Sequence, residues 1–113
     1  MNNQEFYSFL DSRKQFVMAD IQALSAEGRT DDANILKAKY NVYDIGKSVF
    51  DATLKQSGDT APKAFPELFA KITGAWSVSL ETAKAHGDDR KVLIEEAKLA
   101  AVAEINAKVS ELF

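Results

Sequence analysis

The chain of 113 residues has no cysteine, one histidine and two prolines. The absence of cysteine excludes a disulfide scaffold, a thiolate nucleophile and a cysteine-ligated metal site. A zinc site needs several His or Cys ligands, and His86 is the sole histidine, in a predicted turn where we expect it to end a helix and face water. The sequence therefore predicts no metal centre and no bound cofactor.

Long apolar runs and an excess of basic charge are also missing. No run approaches the ~20 apolar residues of a membrane-spanning helix, and the first residues lack the basic and apolar segments of a secretory signal. The net charge of −3 comes from 14 basic and 17 acidic residues that are interleaved along the chain. Because a nucleic-acid backbone is bound by a basic stripe, we expect a cytoplasmic protein that binds neither a membrane nor a nucleic acid.

The sequence patterns of common enzymes are absent as well. Ser77 and Ser79 have no histidine near them in the sequence, and none of the five glycines belongs to a phosphate-binding loop. The Glu-x-x-His pairs of dinuclear metal bundles do not occur. Glu95 and Glu96 are expected on a solvated helix face. The sequence therefore predicts a protein that is not an enzyme.

What the sequence does contain is apolar residues at a helical spacing of three and four. The predicted helices cover residues 4–26, 31–56, 66–85 and 89–112. Gly28 and Gly87 suit the left-handed position that ends a helix, and aspartates follow each glycine at the start of the next helix. Such short turns predict two antiparallel helical hairpins.

The stretch from Ser57 to Pro66 is the longest segment without that spacing. Gly58 is expected to end the second helix, and a short additional helical turn is expected near residues 60–65. Pro66 suits the first turn of the third helix, where its missing N–H is harmless.

The second predicted helix is apolar around most of its circumference. Its polar residues fall on one narrow strip, namely Lys37, Asn41, Asp44, Ser48, Asp51 and Lys55. An ordinary surface helix has an apolar stripe a little over ~100° wide, and here the apolar arc is about twice that. We therefore predict that this helix is central and that other helices pack on two of its sides.

Gly46 lies within that apolar arc, where glycine costs ~1 kcal/mol relative to alanine. Close approach of a neighbouring helix is the preferred explanation. The alternative is a ligand pocket lined by Gly46 with Tyr40, Tyr43 and Trp76, although such aromatic residues more often belong to the core.

Two charged residues, Arg13 and Asp20, fall on the apolar face of the first helix. The preferred interpretation is that Arg13 extends its charged end to solvent and that Asp20 meets a capping or bundle partner at the edge of the face. A buried pair would be costly unless fully hydrogen-bonded. The alternative is a polar site inside the bundle.

The last helix has a second apolar set beside its inner stripe, consisting of Val92, Leu99, Val102 and Phe113. Packing on the neighbouring hairpin would explain this set. Self-association would also explain it, because exposed apolar patches on small soluble proteins mark contacts.

These observations predict an all-α, single-domain helical bundle over residues 1–113, with four main helices arranged as two antiparallel hairpins. The leading functional hypothesis is a non-enzymatic interaction or structural module that forms a homodimer or binds a protein partner. The alternative hypothesis is a small-molecule-binding module with an aromatic-lined pocket.

Overall fold

The computed structural model describes residues 2–113, which fold into helices without any strand. The four α-helices are α1 (Asn2–Ala26), α2 (Thr30–Ser57), α3 (Ala61–Ala85) and α4 (Asp89–Leu112). A 3₁₀ turn over Gly58–Thr60 joins α2 directly to α3. The predicted all-α fold with four main helices is confirmed.

The helices alternate in direction along the bundle. Each is antiparallel to the next, and α2 is parallel to α4, because Asp31 pairs with Arg90 at one end and Phe50 stacks on Phe113 at the other. Helix α2 packs against α1, α3 and α4 and has seven buried residues, more than any other helix, which confirms that it is the central helix.

Local chain chemistry explains the two short turns. Gly28 and Gly87 have φ values of +74° and +67°, the left-handed conformation that glycine adopts without steric cost. After Gly87, the Asp88 side chain accepts a hydrogen bond of 3.2 Å from the backbone N–H of Lys91 and caps α4.

The connection between α2 and α3 differs from its prediction. Helix α3 begins at Ala61, so Pro62 occupies its first turn and Pro66 lies inside the helix. The additional turn covers Gly58–Thr60 and not residues 60–65, because Gly58, at φ +53°, ends α2 and α3 already begins at Ala61. Pro62, and not Pro66 as predicted, is therefore the proline in the first turn of α3, where a missing N–H is harmless.

The core has an aromatic end near the chain termini. Phe6, Phe50 and Phe65 are fully buried, and their ring centroids lie 4.8–5.8 Å apart. Near the opposite end the buried positions include small residues such as Ala33 and Ala83. Small side chains fill less space between helices.

Candidate functional site

Gly46 marks the closest approach of α2 to α4. A Cβ atom added to Gly46 would lie 3.0 Å from Cδ1 of Ile105, which is fully buried. The space beside Gly46 is therefore filled by the Ile105 side chain. Helix packing, the preferred explanation for this glycine, accounts for it.

The other three residues of the predicted pocket lie in separate surroundings. Tyr43 is fully buried, and Tyr40 lines a surface depression between α1 and α2 with Lys14. Trp76 lines a cleft formed by α2, α3 and α4. The structure does not bring Tyr40, Tyr43, Gly46 and Trp76 together around one of the cavities described here.

Arg13 belongs to a polar cluster that connects three helices. The Glu104 carboxylate lies 2.9 Å from Arg13 Nε and 3.1 Å from Lys39 Nζ, and it accepts a 3.0 Å hydrogen bond from the Tyr43 hydroxyl. The phenolic oxygen of Tyr43 and the charge of Glu104 raise the pKa of Arg13. Burial raises the pKa of Tyr43, and Glu104 adds to that effect. Asp20 is exposed to solvent.

This cluster holds α1, α2 and α4 in register. The side chains of Arg13 and Glu104 are 31% and 30% exposed. The ion pair therefore lies at the edge of the apolar face, as the preferred interpretation of Arg13 predicted. Sequence reasoning missed Lys39 and Glu104 as its partners. One sequence feature could have indicated Glu104: it is the one charged residue between Leu99 and Ala107.

The cleft at Trp76 has a volume of about 280 Å³. Its lining comes from three helices and consists of Ala38, Asn41, Val42, Ile45, Trp76, Ile94 and Lys98. Lys98 Nζ lies 4.3 Å from the centroid of the Trp76 ring and 3.3 Å from Glu95 Oε1. The cleft therefore combines apolar walls with one ammonium group that is held in place.

Glu95 corrects the prediction of a solvated Glu95–Glu96 pair. The Glu95 side chain is only 8% exposed, and its Oε2 atom has no hydrogen-bond partner among residues 2–113. Glu96 is exposed. Consecutive helical residues point in directions about 100° apart, so one glutamate can be buried while its neighbour faces water.

The predicted dimer residues on α4 divide into two pairs. Val102 packs against the core cluster, and Phe113, though 44% exposed, stacks on Phe50 with ring centroids 6.0 Å apart. Val92 and Leu99 are half-buried. Val102 and Phe113 therefore have packing partners within the chain.

The solvent side of α4 has an uncharged segment between positions 99 and 107. The exposed residues between positions 99 and 107 are Ala100, Ala103, Asn106 and Ala107, which we call the α4 face. Two large apolar side chains flank it: Leu93 is 51% exposed and Phe16 of α1 is 63% exposed. Arg13 lies between Phe16 and α4: its Cζ is 5.4 Å from the Phe16 ring centroid, and its Nε pairs with Glu104.

Comparison with known proteins identifies no relative. No protein-family model, curated protein or solved structure matches the chain. No helix within residues 2–113 is long and apolar enough to cross a membrane. In the same range, no group of three or more His, Cys, Asp or Glu side chains is arranged to hold a metal ion.

Proposed function

We propose that the protein is a non-enzymatic interaction module that pairs with a second copy of itself through the α4 face. The observation that carries this proposal is the absence of exposed charge between Leu99 and Ala107. The single charge in that segment, Glu104, is already paired with Arg13 and Lys39.

The composition of the α4 face is unusual for a helix surface in water. Exposed helix faces are normally charged or polar, and contiguous apolar surfaces mark contacts with other molecules. Here the residues are alanines and one asparagine, which let a second helix approach closely. Phe16 and Leu93 add large apolar area at the edge of the face.

A second copy of the chain suits this face because a two-fold interface uses the same patch on both subunits. An uncharged patch meets itself without like-charge repulsion. Helix α4 has 24 residues and is therefore about 36 Å long. A standard interface buries about 800 Å² per partner, and the exposed Phe16 and Leu93 would add to the area of the α4 face.

Ala103→Glu tests the proposal, because Ala103 is exposed near the middle of the α4 face. Val102→Glu is a poorer choice, because Val102 packs on the core and a charge there would disturb the fold. Ala70→Glu is the matched control, since Ala70 is an exposed alanine within α3.

Sedimentation velocity should show wild-type dimers at protein concentrations up to about 0.5 mM. We expect Ala103→Glu to weaken association by about tenfold or more, because it buries an unpaired charge. Ala70→Glu should associate like the wild type, and both variants should keep their helical circular dichroism. A wild-type protein that stays monomeric at about 0.5 mM would rule out the proposal, as would an Ala103→Glu variant that associates normally.

A further inference from the structure

Arg13, Phe16 and Asp20 lie on one side of α1, with the aromatic ring between the two charges. At about 100° per residue their directions around the helix differ by no more than about 60°. Phe16 is 63% exposed, and Arg13 and Asp20 lie before and after it in the sequence. This side of α1 therefore has a cation, an exposed aromatic ring and an anion in order along the helix.

The two charges do not pair with each other within one chain. Seven helical residues span about 10.5 Å, and Arg13 Nε lies 2.9 Å from Glu104 instead. Lys39 shares the same Glu104 carboxylate, so two cations face one anion in that cluster. Asp20 is exposed and forms no ion pair within residues 2–113. One chain thus has a surplus cation and a carboxylate without a counter-charge.

A second copy that packs antiparallel provides the missing counter-charge for both groups. If a two-fold axis crosses α1 between Phe16 and Val17, position 13 of each copy faces position 20 of its partner, because both positions lie equally far from that axis. A two-fold interface repeats each contact, so two ion pairs form at once. The two Phe16 rings meet beside the axis, where aromatic rings favour offset or edge-to-face contacts.

The side chain of Arg13 can make this additional contact. It is 31% exposed, and a guanidinium group has five N–H donors. Only its Nε atom is needed for the contact with Glu104. Arg13 can therefore keep its contact with Glu104 while its remaining donors bind a carboxylate of a second copy.

The same axis passes close to the α4 face. Helices α1 and α4 are antiparallel, and Arg13 of α1 pairs with Glu104 of α4. Phe16 comes one turn after Arg13, so it lies close to the level of Ala100, which is about one turn before Glu104. One antiparallel arrangement therefore brings Phe16 and the α4 face into a single interface.

We infer that the second copy binds antiparallel, with Phe16 on the partner's Phe16 and Arg13 paired with the partner's Asp20. This inference rests on the proposed self-association through the α4 face and specifies its orientation. A parallel arrangement would set Arg13 level with the partner's Arg13 and Asp20 level with the partner's Asp20, so neither charge would gain a counter-charge. Complementary charges favour one orientation and disfavour others.

Asp20→Lys tests the ion pairs, because it places an ammonium group opposite Arg13 twice in each dimer. We expect it to weaken association by at least about tenfold in sedimentation velocity. Asp11→Lys is the matched control: Asp11 is an exposed aspartate of the same helix, and nine residues of separation place it about 180° away from Asp20. Asp11→Lys should associate like the wild type, and both variants should keep their helical circular dichroism.

Two further variants test the pairing and the ring contact separately. Asp20→Lys should weaken association far less in an Arg13→Gln background, because no guanidinium then faces position 20. Phe16→Ala should weaken association by at least about tenfold. Val78→Ala is its control, since Val78 is 68% exposed on α3, and it should associate like the wild type.

The outcomes separate this inference from the proposed function. A wild-type protein that stays monomeric at about 0.5 mM would overturn both. Wild-type dimers in which Asp20→Lys associates as well as Asp11→Lys would overturn the antiparallel orientation alone and leave the α4 contact in place. The same conclusion would follow if Asp20→Lys acted equally with and without Arg13, or if Phe16→Ala associated like Val78→Ala.

Discussion

The contact between Gly46 on α2 and Ile105 on α4 provides a test of how the bundle is packed. Gly46→Ala would place a Cβ atom 3.0 Å from Cδ1 of Ile105. Carbon atoms in favourable contact lie about 3.5–4.0 Å apart. Ile105 is fully buried, so its terminal methyl group can move away only by displacing other core atoms. We therefore expect Gly46→Ala to destabilise the protein although alanine favours a helix.

Two opposing effects set the size of the stability change expected for Gly46→Ala. Replacing a glycine inside a helix by alanine stabilises it by about 1 kcal/mol, whereas overpacking a core costs about 1–3 kcal/mol. The expected net change for Gly46→Ala is a destabilisation of about 1 kcal/mol. Gly74 in α3 is the control, because an added Cβ there meets no atom within 4 Å. Gly74→Ala should stabilise the protein by about 1 kcal/mol.

Urea unfolding followed by far-ultraviolet circular dichroism measures both changes. Ile105→Val removes Cδ1 and should cost about 0.5–1.5 kcal/mol by itself. In that background Gly46→Ala should no longer destabilise, which gives a favourable coupling of about 1–2 kcal/mol in the double-mutant cycle. The reasoning is refuted if Gly46→Ala stabilises as much as Gly74→Ala and shows no coupling to position 105.

Two further predictions concern the polar contacts. Glu104→Gln should lower the free energy of unfolding by about 1–2 kcal/mol, because Arg13 and Lys39 lose their shared counter-charge at a half-buried position. Urea unfolding measures this destabilisation, and an effect that is the same in 1 M salt would contradict the electrostatic explanation. Burial and the acceptor Asp51 raise the pKa of Tyr7 from 10.0 to about 12, so the folded protein keeps a proton that the unfolded chain releases. The free energy of unfolding should therefore fall as the pH rises from 10 to 12, and it should fall less steeply in Tyr7→Phe. If urea titrations give the wild type and Tyr7→Phe the same dependence of stability on pH, this assignment is contradicted.

The sequence by itself determined the number of helices, the turns between α1 and α2 and between α3 and α4, and the central place of α2. These features depend on local chemistry. Gly28 and Gly87 end helices through their own backbone conformation, and the wide apolar arc of α2 needs no knowledge of its neighbours. The start of α3 was the exception, because Pro62 and Pro66 both suit a first turn and the sequence does not choose between them.

Only the tertiary structure decided which side chains meet. Gly46 faces Ile105, 59 positions away in the sequence, and Tyr43 is buried while Tyr40 lies half-exposed one turn earlier. Glu95 is likewise buried beside Lys98; its helical spacing to Val92 and Leu99 separates it from Glu96, but only the packing supplies the partner that pairs with its charge. Helical periodicity specifies the direction of each side chain about its own axis. It does not specify how α2, α3 and α4 are rotated and spaced against one another, and that packing places Trp76, Lys98 and Glu95 together.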